Sequence, residues 1–133
     1  MGDDSLSVSD ETTVIRLLRH DWIIPIDGEI GRRISSNAMA NSSSDGGMSV
    51  FLEEDIFAAE RAVQELFELP MFAAYVAACS WTAGTLRDLG QEIERDPVDY
   101  FPGHALVLDL KGNRTTGNKR KLATSANWYM DRP

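Results

Sequence analysis

The chain has 133 residues, a formal net charge of -8, 43% hydrophobic residues and 26% charged residues. This composition is typical of globular proteins, and it excludes collagen-like, coiled-coil and wholly disordered chains. The length predicts a single domain, and no apolar run approaches the ~20 residues that a membrane span requires. The first residues lack a secretory signal pattern, and the lone Cys79 fits a reducing compartment. We therefore expect a cytoplasmic protein that makes no contact with a membrane.

The first part of the chain predicts a flexible acidic end over residues 1–11, followed by one domain over residues 12–133. Residues 12–18 are apolar and fit either a short helix or a strand, because periodicity does not distinguish the two. Residues 22–26 read as extended chain, Asp27-Gly28 indicates a turn, and residues 41–47 have the composition of a loop. Residues 48–52 then predict a short strand.

The second part of the chain alternates predicted helices and strands. Apolar residues at helical spacing predict an amphipathic helix over residues 53–68, which Pro70 ends. A buried strand over residues 72–81 and a short helix follow, with Thr82 as N-cap and Gly90 at the end. Further strands are predicted over residues 91–95 and 104–110, and a helix over residues 119–130. The sequence thus predicts a compact α+β domain with a mostly antiparallel sheet of about four or five strands and about three helices.

Charge is distributed unevenly along the chain. Residues 1–110 carry 7 Lys/Arg against 20 Asp/Glu, whereas residues 111–133 carry 6 against 1. A short basic end can attract a phosphate backbone locally. One interpretation is therefore nucleic-acid contact, and the other is that the basic end folds back on the acidic body. The residues that would make the nucleic-acid contact are Lys111, Arg114, Lys119, Arg120 and Lys121.

Two adjacent arginines followed by two serines, at residues 32–36, predict an anion-binding segment. Guanidinium groups offer paired donors to phosphate or carboxylate, and hydroxyl groups add more. The candidate ligand-binding residues are Arg33, Ser35 and Ser36, together with Ser49 on the next strand. The alternative is a solvated loop whose arginines pair with the acidic body.

His104 opens the strand predicted over residues 104–110 and is the candidate acid–base group. A strand end beside a loop suits an imidazole that transfers a proton. The alternative is a histidine whose ring is hydrogen-bonded by a loop carbonyl. Two distant histidines and one cysteine lack the spacing of metal ligands, so neither a metal nor a cofactor is predicted. Cys79 lies in an apolar run, which predicts burial.

Several short islands in the chain resemble a group of small bacterial proteins that carry no assigned activity. The islands are Arg33-Ile34-Ser35-Ser36, Met48-Ser49-Val50 and His104-Ala105-Leu106-Val107, and the resemblance covers about residues 22–128. It implies a cytosolic protein of bacterial or phage-related origin. The order of Arg, Ser-Ser and Ser-Val before a helix also resembles small ADP-ribosyltransferase-like folds. That resemblance implies an acidic or histidine residue on a late strand, the position of His104.

Three functional interpretations follow. The leading one is an accessory binding protein that acts through a protein partner or through self-association. The second is an enzyme that acts on an anionic, nucleotide-like ligand, and it requires Arg33, Ser36, Ser49 and His104 to meet in one pocket. The third is nucleic-acid contact through one exposed basic stripe. A set of aromatic residues near turns and chain ends either lines a site or belongs to the core: Trp22, Tyr100, Phe101, Trp128 and Tyr129. Whether the chain is an enzyme stays open.

Overall fold

The fold, described here from a computed structural model, is an α+β domain built on one antiparallel sheet. The structure describes residues 7–25, 32–41, 47–112 and 114–133. Six strands form the main sheet in the order β6-β7-β4-β1-β5-β8, and β2 and β3 form a separate hairpin. The strands are β1 (Thr13–Arg19), β2 (Ile23–Pro25), β3 (Arg32–Ile34), β4 (Met48–Leu52), β5 (Tyr75–Thr82), β6 (Gln91–Arg95), β7 (His104–Asp109) and β8 (Asn127–Asp131).

Three α-helices and four 3-10 segments complete the described part of the chain. The α-helices are α1 (Glu53–Ala58), α2 (Ala83–Asp88) and α3 (Thr116–Ser125), and the 3-10 segments are His20–Trp22, Ser36–Met39, Val63–Glu68 and Pro70–Phe72. No helix within these ranges is long and apolar enough to cross a membrane. The predicted turn at Asp27-Gly28 and most of the predicted loop over residues 41–47 lie outside the described residues.

The main sheet buries apolar side chains on both faces, which explains why β1 reads as a continuous apolar run. Val14 and Leu18 pack on one face with residues of α2 and α3, which we call the α3 face. Ile15 and Leu17 pack on the opposite face with Ile56 of α1, which we call the α1 face. The fully buried Trp81 fixes α3 on its face, because its indole nitrogen donates a hydrogen bond to the Leu122 carbonyl at 2.9 Å.

Two predicted helices are wrong in extent. The helix predicted over residues 53–68 ends at Ala58 and is followed by a separate 3-10 segment, because Glu60 adopts a left-handed backbone conformation with φ of 60°. The helix predicted over residues 119–130 begins earlier and ends at Ser125, and β8 then pairs with β5 at the sheet edge. The main sheet therefore has six strands, slightly more than the four or five expected.

Other predictions agree with the structure. The fold class is confirmed, and the ambiguous segment over residues 12–18 forms part of β1, next to the centre of the sheet. The Thr82 side chain accepts a hydrogen bond from the Thr85 N–H, as expected of an N-cap, and Gly90 follows α2 with φ of 78°. The flexible end predicted over residues 1–11 is not one of these: Val8 is buried and Asp10 contacts Arg87 at 2.6 Å, while residues 1–6 lie outside the described residues.

Candidate functional site

Ser49 and His104, two of the predicted site residues, form a hydrogen-bonded pair on the α1 face. Ser49 Oγ lies 2.7 Å from His104 Nε2, and the imidazole is 5% exposed. On its other side, His104 Nδ1 lies 2.8 Å from the Asp96 backbone carbonyl. A carbonyl oxygen only accepts, so Nδ1 carries a hydrogen and donates a hydrogen bond to the Asp96 backbone carbonyl. The Asp96 carboxylate oxygen Oδ2 lies 3.3 Å from Nδ1. In the neutral ring Nε2 then accepts from the Ser49 hydroxyl.

The position of His104 depends on the glycine before it. Gly103 has φ of 92°, and its carbonyl accepts from the Leu52 N–H at 2.8 Å. A Cβ at Gly103 would lie 2.9 Å from the Leu52 carbonyl oxygen, so a larger residue would push β7 away from β4. With β7 in place, the imidazole packs against the edge of the Phe51 ring, 5.3 Å between centroids.

The Ser49–His104 pair is hydrogen-bonded, but the space beside it is small. The adjoining cavity has a volume of about 30 Å³ and is lined by Arg16, Leu17, Ser49, Phe51, Phe72 and Tyr75. Such a volume holds one or two water molecules and not a nucleotide. The His104 ring is hydrogen-bonded to a loop carbonyl, which is the structural role that the sequence offered as the alternative to catalysis. A catalytic role for His104 stays a prediction.

Arg33 and Ser36 lie instead in a larger cleft on the α3 face, which we call the arginine cleft. It has a volume of about 400 Å³, within the range of small-molecule sites. The strand β3, the 3-10 segment after it, α3 and β8 form its walls. Its lining residues are Arg32, Arg33, Ile34, Ser36, Arg120, Ala123, Thr124, Ala126 and Trp128.

The three arginines of the cleft have different surroundings. Arg32 is held in place, since it contacts Asp131 at 2.6 Å and stacks over the Trp128 ring at 4.1 Å from the centroid. Arg33 and Arg120 have no carboxylate within 4 Å among the described residues. Two guanidinium groups that lack an anionic partner in the described part of the chain therefore line the same cleft.

The expectation of a single pocket is wrong. Arg33 and Ser36 line the arginine cleft on the α3 face, while Ser49 and His104 lie on the α1 face. Side chains alternate along a strand, and the buried neighbours Met48 and Val50 take the α3 face of β4, which leaves Ser49 on the other face. The six-stranded sheet separates the two pairs.

Ser35 has a structural contact of its own. Its side chain accepts a hydrogen bond from the Asn37 N–H at 3.1 Å, and its N–H donates to the Trp22 carbonyl at 2.7 Å. The first contact starts the 3-10 segment that follows β3, and the second joins it to the segment His20–Trp22. Ser35 therefore shapes one wall of the arginine cleft without lining it.

The expected basic stripe is also wrong, because Arg114 is buried. It is 8% exposed, and its guanidinium donates to the Gln91 side chain at 2.8 Å and also to Asn41 and the Val107 carbonyl. Burial lowers its pKa, and Asp109 opposes that shift. The other four basic residues do not line one continuous surface depression with it. Arg120 and Lys121 share one depression, Lys121 and Lys111 share a second, and Lys119 lies beside Arg114 in a third.

Cys79 is fully buried in β5, as expected, and burial raises its thiol pKa to about 12. The thiol is therefore protonated at neutral pH and a poor nucleophile. Within the ranges that the structure describes, no three His, Cys, Asp or Glu side chains are grouped as metal ligands would be.

Sequence reasoning found Arg33, Ser36 and Arg120 but assigned them to different sites. It did not find Thr124, whose hydroxyl carries no local signal, and it grouped Trp128 with the general aromatic set. It also passed over Arg16, although a charged residue within an apolar strand indicates a side chain with a specific role. Comparisons of the chain with protein-family models, curated proteins and solved structures find no match.

Proposed function

We propose that this chain is a binding protein that recognises a small phosphorylated molecule in the arginine cleft. The observation that carries the proposal is that Arg33 and Arg120 line one concave site without a carboxylate partner among the described residues. The chain as a whole is acidic, with a net charge of -8. A local excess of positive charge on such a chain attracts an anion to this place in particular.

The chemistry of the cleft suits a phosphate group. A guanidinium offers donors in a planar fork that matches two phosphate oxygens, and the Ser36 and Thr124 hydroxyls add single donors. The Trp128 side chain forms an apolar wall beside them and is 37% exposed. Arg32 completes the wall, because Asp131 and Trp128 hold it in one position. The ligand would therefore be a phosphate ester with a flat or apolar body.

Binding is favoured over catalysis at this cleft. Among its lining residues there is no carboxylate, imidazole or thiol that could transfer a proton at neutral pH. His104, the predicted proton-transfer group, lies on the opposite face of the sheet. An accessory role through a protein partner or self-association, a cytoplasmic location and a bacterial or phage-related origin stay predictions from the sequence. The protonated, unpaired Cys79 thiol supports the location.

The proposal is tested by calorimetric titration of the protein with adenosine monophosphate, with inorganic phosphate and with adenosine. We expect the two phosphate-bearing ligands to bind and adenosine to bind much more weakly. A hydrogen bond to a charged group contributes about 1.5–3 kcal/mol, so Arg33→Gln and Arg120→Gln should each weaken binding roughly 10- to 100-fold.

The matched control is Lys111→Gln, which removes one exposed positive charge outside the cleft. Its affinity should stay within about twofold of the unmodified protein, because Lys111 does not line the cleft and salt screens the charge of an exposed side chain. Equal losses in all three variants would show that only net charge matters. Unchanged affinity in both cleft variants, or no binding at all, would reject the proposed function.

A further inference from the structure

Arg16 is a buried cation inside the main sheet. Its side chain extends from β1 and is only 9% exposed. The guanidinium Nε donates to the Ala38 carbonyl at 3.1 Å, and one terminal nitrogen donates to the Ser49 carbonyl at 2.7 Å. The indole ring of Trp22 lies beside it, 5.2 Å from the guanidinium carbon to the ring centroid. The groups named here that contact the guanidinium, two backbone carbonyls and an indole ring, are all neutral.

The side chain occupies an opening between two neighbouring strands. β1 and β4 pair at Val14↔Leu52 and Ile15↔Phe51, and the pairing stops there although both strands continue. At the same register Leu17 would face Ser49, but the Ser49 carbonyl accepts from Arg16 instead. The guanidinium thus takes the place of backbone donors, and the sheet opens around it.

The positive charge of Arg16 has no anionic counterpart among the described residues. No described carboxylate lies within 4 Å of it. Burial lowers the pKa of the Arg16 guanidinium, and the nearby charge of Arg114 lowers it further. Tyr75 and Cys79 oppose this lowering. The Cys79 thiol is protonated at neutral pH, because burial raises its pKa to about 12. A buried charge without a partner is costly, so a bound anion would offset a real penalty.

The cavity beside Arg16 limits the size of such an anion. Its volume is about 30 Å³, and its polar lining residues besides Arg16 are Ser49 and Tyr75. Leu17, Phe51 and Phe72 supply apolar walls, which suit a weakly hydrated anion better than a strongly hydrated one. A monatomic halide or a single carboxylate group fits this space, whereas a nucleotide does not.

We propose that the cavity beside the opening between β1 and β4, which Phe72 and Tyr75 also line, binds a compact monovalent anion, a chloride ion or the carboxylate of a small acid, with Arg16 as its counter-ion. The anion compensates the buried guanidinium and keeps β1 and β4 at their present separation. This site lies apart from the arginine cleft and does not depend on the proposed function.

The test measures thermal unfolding against sodium chloride and sodium formate, with sodium sulfate at the same ionic strength as the reference. All proteins carry Arg33→Gln and Arg120→Gln, so that the arginine cleft does not contribute. We expect the melting temperature to rise by roughly 5 °C over a hundredfold increase in chloride or formate. The same increase should have much less effect in Arg16→Met, which keeps most of the side-chain stem and removes the charge.

The chloride and formate arms distinguish the two sources of the anion, since the better ligand stabilises at the lower concentration. Chloride-35 NMR on the protein with Arg16 intact gives a second measurement, independent of whether Arg16→Met folds. Line broadening that formate reverses supports the site. An identical salt response with and without Arg16, or no broadening that formate reverses, would overturn the proposal.

Discussion

The left-handed residue that ends α1 gives the sharpest stability prediction. Glu60 has φ of 60°, its N–H donates to the Phe57 carbonyl at 2.9 Å, and the Arg61 N–H donates to the Ile56 carbonyl at 3.0 Å. This is a Schellman termination, in which glycine is the preferred residue at the left-handed position. Glu60 is exposed, so its side chain is not needed for packing. We therefore expect Glu60→Gly to stabilise the protein.

The magnitude follows from two opposing terms. A left-handed conformation costs a residue with a Cβ about 1–2 kcal/mol, and glycine avoids that cost. The greater freedom of glycine in the unfolded chain takes back about 0.5–1 kcal/mol. The net gain is about 0.5–1 kcal/mol, which for a domain of this size raises the melting temperature by roughly 2–4 °C.

The assay is urea unfolding followed by circular dichroism, with Glu60→Ala as the control. Alanine removes the carboxylate but keeps the Cβ, so its free energy of unfolding should not exceed that of the unmodified protein. A gain in Glu60→Ala equal to that in Glu60→Gly would assign the effect to charge. A loss of stability in Glu60→Gly would refute the conformational reasoning.

Two further predictions concern polar groups that join distant parts of the chain. The Arg132 guanidinium donates hydrogen bonds to three backbone carbonyls, those of Tyr75 at 2.9 Å, Phe67 at 2.8 Å and Phe72 at 3.0 Å. Arg132→Ala should therefore lower the free energy of unfolding, measured in urea, by about 1.5–3 kcal/mol. An unchanged free energy of unfolding would contradict this prediction. Burial alone would raise the pKa of Asp109, but hydrogen bonds from Gln91, the Lys111 N–H and Asn118 hold it below its ordinary 3.8. Its stabilising effect should therefore be complete above about pH 5 and be lost as the pH falls through the lowered pKa. The difference in unfolding free energy between the unmodified protein and Asp109→Asn should shrink below about pH 4, and a constant difference would contradict the assignment.

The sheet was predictable where a strand has local boundaries. Gly103 and Gly112 bracket β7, and Thr82 caps α2, so both elements were visible in the sequence. β8 was not visible, because its five residues follow a helix without a turn signal and pair only with the distant β5. The break after α1 was hidden for a related reason: glutamate is not a residue that predicts a left-handed conformation.

The arginine cleft was predictable only in its components. The Arg-Arg-Ile-Ser-Ser segment and the basic C-terminal region each predicted a site that binds an anion. The two regions come together only because α3 packs against the 3-10 segment after β3. Of the four residues predicted to share a pocket, Ser49 and His104 do meet, because β4 and β7 pair directly. Their separation from Arg33 depends on the face of the sheet that each side chain takes. A register shift of one residue would have reversed it, and local sequence does not determine the register.

The most direct measurement of the central claim is a titration of nitrogen-15-labelled protein with adenosine monophosphate, followed by NMR chemical shifts. If the arginine cleft is the binding site, the largest shifts will fall on the Trp128 indole, on the side-chain Nε signals of Arg33 and Arg120, and on backbone amides at Ser36 and Thr124. Shifts that instead cluster around Ser49 and His104 on the α1 face, or no saturable shifts, would contradict the account.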